Sequence, residues 1–331
     1  MNQFRLAPLC GVTDRPYRTI CAAQGCECGY TEMVSAMGFL CAPEGQTATY
    51  SLLERGETER KLICQLFGRD PETVAKAAAK LADTGRYDGI DINMGCPAHK
   101  IAPSGEGCGL MRTPDIAEKM IRRTVEECRL PVSIKMRLGW DSNSINAVDF
   151  AKMAENAGVT EITVHGRTRE QQYSGEADWN LIGEVKRSVS VPVIGNGDIF
   201  DAITGIRRMR DYGVDGIMIG RGAMGNPWIF RELKEASEDK PVPEVTAKER
   251  MEAIQCQYMM MLDWKPEYIA VREMRKHIGW YLHGMRGAGQ MRVEINRIES
   301  ASEALEKVRS FLEMNSTEDD SLESEAEKCS E

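Results

Sequence analysis

Several things are scarce in this chain, and each scarcity excludes something. No apolar stretch approaches the ~20 residues that a bilayer-crossing helix needs. The N-terminus runs from Met1-Asn2-Gln3 straight into a short strand-like segment, without the longer apolar core of a secretion signal. A soluble, cytoplasmic protein with no membrane partner is expected. Histidines number four, and no second cysteine pair at zinc-finger spacing accompanies Cys21, Cys26 and Cys28, so no metal site is expected. A Gly-x-Gly-x-x-Gly turn after the first strand is missing, which argues against a doubly wound dinucleotide-binding sheet. Positive charge is also short, with a formal net charge of −9. No obligate protein partner is evident.

What is present points to one large core. The 331 residues are 42% hydrophobic, and a (β/α)8 barrel takes ~250 residues as a single unit. The eleven cysteines are odd in number. Many fall inside apolar runs, as Cys64 does, and read as reduced packing thiols. Short apolar runs at 5–9, 29–33, 62–66, 89–93, 132–136, 161–165, 192–195 and 216–219 predict eight strands. Helix-like stretches at 71–84, 114–128, 145–157, 179–188 and 202–212 alternate with them, the second opening on the N-cap and first-turn pair Thr113-Pro114. This alternation predicts an α/β fold, a TIM barrel over residues 1–240. After a linker at 235–243 the strand signals stop. Helices at 247–262 and 266–283, a Gly-rich turn at 284–289 and a last helix at 291–312 predict a small all-α domain over 245–312.

The charge is unevenly spread. Residues 313–331 hold eight acidic residues against one lysine, seven of the nine net negative charges, which leaves the rest of the chain with two. This acidic tail is expected to be a disordered extension. Between residues 271 and 297 six Lys/Arg face Glu273 and Glu294, a local excess of four positive charges compatible with RNA binding.

Residues able to carry chemistry gather where the predicted strands end, the face on which TIM barrels build their sites. Gly197 and Asp198 after the seventh strand, and Gly220 and Arg221 after the eighth, suit a phosphate. Glycine lets backbone N–H groups come close, and the arginine adds a fork. Gln65, Lys135 and His165 point to the same mouth, where they suit a ring that carries an amide edge and negative charge, as a reduced flavin does. Cys96 lies in a Gly-Cys-Pro turn at the end of the fourth strand. A thiol near its ordinary pKa of ~8.5 stays protonated at neutral pH and can act as a general acid. A nucleophile with a depressed pKa and a packing cysteine are the other readings. Cys108 is a rival on the same loop and Cys10 a weaker third.

The motifs Gly11-Val12-Thr13-Asp14-Arg15-Pro16-Tyr17-Arg18, Asp91-Ile92-Asn93-Met94-Gly95-Cys96-Pro97 and Thr163-Val164-His165-Gly166-Arg167-Thr168, with Gly195-Asn196-Gly197-Asp198-Ile199 and the run from Gly216 to Trp228, resemble the tRNA-dihydrouridine synthase family. The resemblance spans residues 4–312, and the segment 272–281 is similar to bacterial members with a C-terminal helical tRNA-binding domain. It implies FMN as cofactor, NADPH as reductant and reduction of tRNA uridines to 5,6-dihydrouridine, with hydride from the flavin to C6 and a proton from Cys96 to C5. It also implies FMN contacts from Pro8, Leu9, Cys10, Gln65, Lys135, His165, Asn196, Gly197, Asp198, Gly220 and Arg221, and uracil contacts from Asn93 and Arg167. Leu9-Cys10 departs from the family's commoner Met followed by a small or acidic residue. A target base would have to leave its stack, with Arg272, Arg275 and Lys276 gripping phosphates and Trp280 and Tyr281 packing in the helical core. The alternative is an FMN barrel dehydrogenase acting on a free pyrimidine or dihydroorotate-like molecule.

Overall fold

The computed structural model describes residues 3–43 and 48–328, with side chains described for 4–43 and 49–316. The strands are β1 (Gln3–Leu6), β2 (Gly29–Tyr30), β3 (Val34–Ser35), β4 (Leu62–Phe67), β5 (Gly89–Met94), β6 (Val132–Met136), β7 (Glu161–His165), β8 (Val193–Asn196) and β9 (Gly216–Ile219). All pair in parallel, β1 beside β9 and then down the chain to β4. Both β2 and β3 pair with β4, so they share one position of an eight-position barrel. The ring closes where Leu6 N–H donates to the Cys28 carbonyl at 3.1 Å and Glu27 N–H to the Phe4 carbonyl at 3.2 Å. This is a (β/α)8 TIM barrel.

The helices are α1 (Arg15–Ala23), α2 (Ala36–Cys41), α3 (Ala48–Ser51), α4 (Pro71–Asp83), α5 (Pro114–Glu127), α6 (Ala147–Asn156), α7 (Trp179–Ser188), α8 (Ala202–Tyr212), α9 (Ile229–Ser237), α10 (Ala247–Leu262), α11 (Glu267–Tyr281), α12 (Ala288–Ile295) and α13 (Ala301–Lys328). Asp14, Asp70, Asp178 and Asp201 accept first-turn N–H groups and start α1, α4, α7 and α8. Pro114 does open α5, but Thr113 makes no side-chain cap there. The chain divides into two compact units: residues up to Ala223 with Ile229–Pro241, and Met224–Trp228 with the chain from Val242 on. In the second unit α11 buries Ala270, Val271, Met274, His277, Ile278 and Tyr281, a stripe at helical spacing.

Four expectations are corrected. The first strand stops at Leu6 rather than residue 9, its ladder ending where Ala7 N–H meets the Ile219 carbonyl at 2.8 Å, because Pro8 has no N–H to continue. The second strand breaks at residues 31–33, where side chains take over from the ladder: Gln65 N–H donates to Thr31 Oγ1 at 3.0 Å, and Glu32 accepts from Gly11 N–H. The linker expected from residue 235 is still helical there, as the last turn of α9. The last helix is two. Arg275 donates to the Ile298 carbonyl at 2.8 Å in the break, and Ser300 accepts Glu303 N–H at 3.2 Å to start α13. That helix continues past Leu312 to Lys328. The tail's last three residues lie outside the described residues. Among the described residues no helix is long and apolar enough to cross a membrane.

Parallel register lines up the inward residues. Gln65 pairs with Asp91, Asp91 with Ser133, Asn93 with Lys135, Lys135 with Thr163 and His165 with Asn196. The arc β4–β7 is therefore polar inside. Across from it Ala7, Cys28, Tyr30, Ile194 and Met218 form an apolar cluster. Beside them Arg5 donates to Tyr30 Oη at 3.0 Å and pairs with Glu161.

Candidate active site

The polar arc carries a hydrogen-bond chain with a fixed direction. Asp91 is wholly buried and accepts from Gln65 Nε2 at 2.8 Å and from Ser133 Oγ at 2.7 Å. An ionised carboxylate only accepts, so the Gln65 amide must present its nitrogen to Asp91 and its oxygen to the mouth. That oxygen accepts from Asn93 Nδ2 at 2.8 Å. Asn93 is oriented in turn, and its Oδ1 accepts the N–H groups of Gly95 at 3.1 Å and Cys96 at 2.9 Å. Asn93 is thus the clasp of the turn that presents Cys96. Burial pushes the Asp91 carboxyl up to about 6, against the pull of its two donors.

The two thiols of this loop have different surroundings. Cys96 is partly exposed. Its carbonyl accepts Cys108 N–H at 3.1 Å. Cys108 is wholly buried with Sγ 3.7 Å from the Gly139 carbonyl, and burial pushes its thiol up to about 12. Cys10 is exposed on a separate turn. There Leu9 donates to Thr13 Oγ1 at 2.8 Å and its carbonyl accepts Val12 and Thr13 N–H, leaving Pro8 and Leu9 half-buried. The motif that follows is scaffold. Arg18 joins Glu59 in a buried ion pair at 2.7 Å, and Tyr17 donates to the Ala223 carbonyl.

Lys135 donates to Asn196 Oδ1 at 3.1 Å, and Asn196 Nδ2 donates to the Met218 carbonyl at 2.7 Å. Desolvation and the neighbouring Arg137 lower the Lys135 ammonium to about 8, so it stays charged at neutral pH. His165 is held well below its ordinary value by burial and by Arg137, Lys135, Arg167 and Arg221, and is a neutral imidazole.

Asp198 ties the loops after β7, β8 and β9 together. It sits at φ 48°, a left-handed conformation that aspartate tolerates better than most residues. Its carboxylate accepts from Arg167 at 2.8 and 2.7 Å, from Arg221 at 2.9 Å and from Ala177 N–H at 2.8 Å. Desolvation raises its pKa, but these donors win and hold it below the ordinary value. Arg167 gives two further N–H groups to the Ser174 and Gly175 carbonyls, so four of its five are spent inside the protein. These bonds make Arg167 a clamp on Asp198, with one Nη1 hydrogen outside them. Gly197 is fixed by φ 134° and by Ala177, whose methyl a Cβ would meet at 2.6 Å. Gly220 has open space instead, its nearest neighbour being the Ala7 methyl at 3.8 Å. Arg221 lies over the Tyr173 and Phe200 rings at 4.6 and 5.5 Å.

Asp91 and Arg137 were not singled out from sequence. Arg137 Nε donates to the Gly95 carbonyl at 2.9 Å and Nη1 to the Thr168 and Gln172 carbonyls at 2.8 and 2.9 Å, bracing the Cys96 turn against the loop after β7. Its signal was a charged residue two positions after Lys135 on a strand otherwise buried, the same face by alternation. In the helical unit Arg272 and Lys276 are exposed one turn apart on α11, whereas Arg275 is half-buried and holds the Ile298 turn. Trp280 packs edge-on to His277 at 5.2 Å, and Tyr281 donates to Gln257 at 2.9 Å.

A parallel barrel whose mouth joins a presented thiol, a buried carboxylate-amide chain, an ammonium and a glycine-arginine corner has the form of a cofactor-using enzyme. The dihydrouridine synthase family profile matches residues 5–316, and the chain belongs to this family. It is 38% identical over 309 residues to a probable tRNA-dihydrouridine synthase of Rickettsia conorii, covering 92% of each chain. It is 43% identical to a protein of the same description from Rhizobium leguminosarum, covering 85% of each. To tRNA-dihydrouridine synthase B of Pseudomonas aeruginosa it is 37% identical, covering 94% of this chain and 93% of that one. Among solved structures, histamine dehydrogenase from a Rhizobium species superposes with TM-score 0.57 at 14% identity, over 78% of this chain and 49% of that one. An old yellow enzyme homologue from Zymomonas mobilis gives 0.51 at 14%, over 73% and 90%. These two share the barrel fold.

Proposed function

We propose that this protein reduces uridine in tRNA to 5,6-dihydrouridine, with FMN bound in the barrel mouth and NADPH as the reductant. The observation that carries this reading is the Cys96 turn, fastened by Asn93 and Arg137 at the rim of the polar arc, in a chain of the dihydrouridine synthase family.

The residues present fit the cofactor. Thr163 Oγ1 is buried in the polar arc without a partner among the described residues. Gly220 leaves room for a phosphate beside Arg221. Lys135, His165 and the free amide hydrogen of Gln65 suit a ring with an amide edge, while Gly197, Gly220 and Arg221 suit the phosphate. When bound, FMN supplies the hydride that C6 of the uracil receives. The Cys96 thiol gives its proton to C5, which saturates the ring and leaves a thiolate that solvent reprotonates. The Lys135 ammonium compensates negative charge at the mouth below pH of about 8. His165, being neutral, offers a hydrogen bond and no charge. On the helical unit, exposed Arg272 and Lys276 would meet phosphates, and half-buried Arg275 holds the Ile298 turn. Flipping the base costs about a few kcal/mol, which contacts to the RNA must offset.

The test is incubation of the FMN-loaded protein with NADPH and unmodified tRNA transcript, reading dihydrouridine by mass spectrometry. Product from the wild type and none from Cys96→Ala is the expected result. Turnover of free dihydroorotate or a free pyrimidine, with none on any tRNA, would assign the barrel to small-molecule reduction instead.

A further inference from the structure

The loops after β5, β6 and β7 are fused into one platform. Arg169 N–H donates to the Gly139 carbonyl at 2.9 Å and Glu170 N–H to the Trp140 carbonyl at 2.9 Å. Asn146 donates to the Met111 carbonyl at 2.8 Å, and Gly139 bridges Ile145. On this platform the guanidinium carbons of Arg112 and Arg169 each lie 4.7 Å from the centroid of the Trp140 ring.

Neither arginine has an ion-pair partner among the described residues, and Arg169 Nε is buried with no hydrogen-bond partner. Other arginines at the mouth and barrel wall, such as Arg18, Arg123 and Arg167, are by contrast taken by carboxylates. Five acids share these loops, of which Glu106 accepts from Ser104, Asp178 caps α7 and Glu176 is exposed. Asp141 folds back onto Asn143 N–H and Ser144 Oγ, while Glu170 is exposed. Two like charges over one ring repel each other, and the ring's quadrupole offsets only part of that. An anion that bridges both relieves it, and planar guanidinium forks match phosphate oxygens.

We propose that Arg112, Trp140 and Arg169 form a docking surface for the sugar-phosphate backbone of the substrate RNA beside its target nucleotide. The assignment rests on the tRNA reading above. RNA is favoured over the phosphates of the reductant because Arg112 is exposed on loop surface. The surface shares its loop with the reactive thiol, since Cys108 N–H holds the Cys96 carbonyl at 3.1 Å and the short helical turn Gly107–Arg112 leads from there to Arg112. A backbone docked there enters with its register to Cys96 already set.

The test compares Arg112→Gln/Arg169→Gln, Trp140→Leu and wild type, all loaded with FMN, on unmodified tRNA transcript across a salt series. The double variant should raise KM for tRNA about tenfold, leave kcat at saturating tRNA and KM for NADPH unchanged, and lower the salt slope of binding by about one per arginine. Trp140→Leu keeps both charges and should raise KM for tRNA about threefold, from lost orientation alone. Thermal melts and Trp140→Phe guard against misfolding. A wild type that turns over, with a double variant of unchanged KM and salt slope, overturns the surface and leaves the reaction standing. A rise in KM for NADPH alone overturns it in favour of the reductant's phosphate. A wild type that binds transcripts without reducing them, beside a double variant that has lost binding, overturns the reaction and leaves the surface.

Discussion

The two halves of the barrel interior are built on opposite plans. From β4 to β7 the inward side chains are polar and spend their hydrogen bonds on one another in a set direction, from Asp91 through Gln65 and Asn93 to the Cys96 turn. From β8 round to β2 they are mainly apolar, with Ile194, Met218, Ala7, Cys28 and Tyr30 in contact. What that half offers at the rim is backbone: the glycine corner of Gly197 and Gly220 with Arg221. A directed polar chain fixes the orientation of a reacting group. A rigid apolar wall with a glycine corner fixes the position of something bound. The difference assigns chemistry to one half and anchorage to the other.

The largest effect should come from removing the end of the polar chain. Cys96→Ala is expected to lower dihydrouridine formation by about 10²–10⁴, while cofactor content and melting temperature stay near wild type because the side chain is small and partly exposed. The measurement is single-turnover product formation by mass spectrometry with flavin content read from absorbance. Equal loss of flavin and product would show that the two halves are not separable.

Removing the origin of the chain should have the next largest effect. Asp91→Asn replaces an obligate acceptor with a group that can face Gln65 either way, so both amides lose their assigned direction. The expected cost is about tenfold in kcat with KM for tRNA little changed, since no RNA contact is lost. The wild type should show a related pH dependence. Its Asp91 has a folded value raised by burial to about 6, so the folded protein holds a proton there that the unfolded chain, near 3.9, does not. That proton's contribution favours folding below pH of about 4 and is lost as pH rises through about 6. The activity trend is opposite, because protonation on the way down turns Asp91 into a donor and scrambles the chain. Difference melts of wild type against Asp91→Asn from pH 4 to 8 isolate the first trend, and an acid limb in kcat near 6 reports the second. An alkaline limb near 8 is expected as Lys135 loses its proton.

On the anchoring side, Arg221→Ala should act on retention rather than rate. The side chain is partly exposed and shares Asp198 with Arg167, which keeps the corner folded without it. FMN affinity should weaken about tenfold by titration, and kcat at saturating FMN should move less than twofold. A fall in kcat with affinity intact would contradict the division of labour.

How much of this was legible depended on the range of the signal. The eight strand positions could be read because each is an apolar run and most of the long helices between them open on Asp or Pro, which are local signals. The break in the second strand could not, since it arises when Thr31 accepts from Gln65, a partner supplied by folding. Ser300-Ala301-Ser302-Glu303 carried a start signal for α13 that an unbroken helical pattern masked. At the mouth, residue types and strand ends marked Cys96, Lys135 and His165. Sequence could not tell that Asp198 sits within reach of Arg167 and takes its guanidinium, because that pairing crosses from one strand end to the next. Nor could it separate Cys96 from Cys108, twelve positions apart on one loop.

That last pair supplies the smallest expected effect and a close test of the comparison. Cys108 is buried against the Gly139 carbonyl with its thiol pushed up to about 12, so at neutral pH it neither ionises nor meets solvent. Cys108→Ala removes one buried sulfur and should cost about 1 kcal/mol of stability, the scale of a small buried group. Product formation should stay within about twofold, because the backbone bond from Cys108 N–H to the Cys96 carbonyl survives the change. An alkylating reagent at neutral pH should label Cys96 ahead of Cys108 in the folded protein, read by peptide mapping. If Cys108→Ala abolished product while the fold stayed intact, the acid would have been given to the wrong thiol, and the polar chain would end in a turn that only shapes the loop.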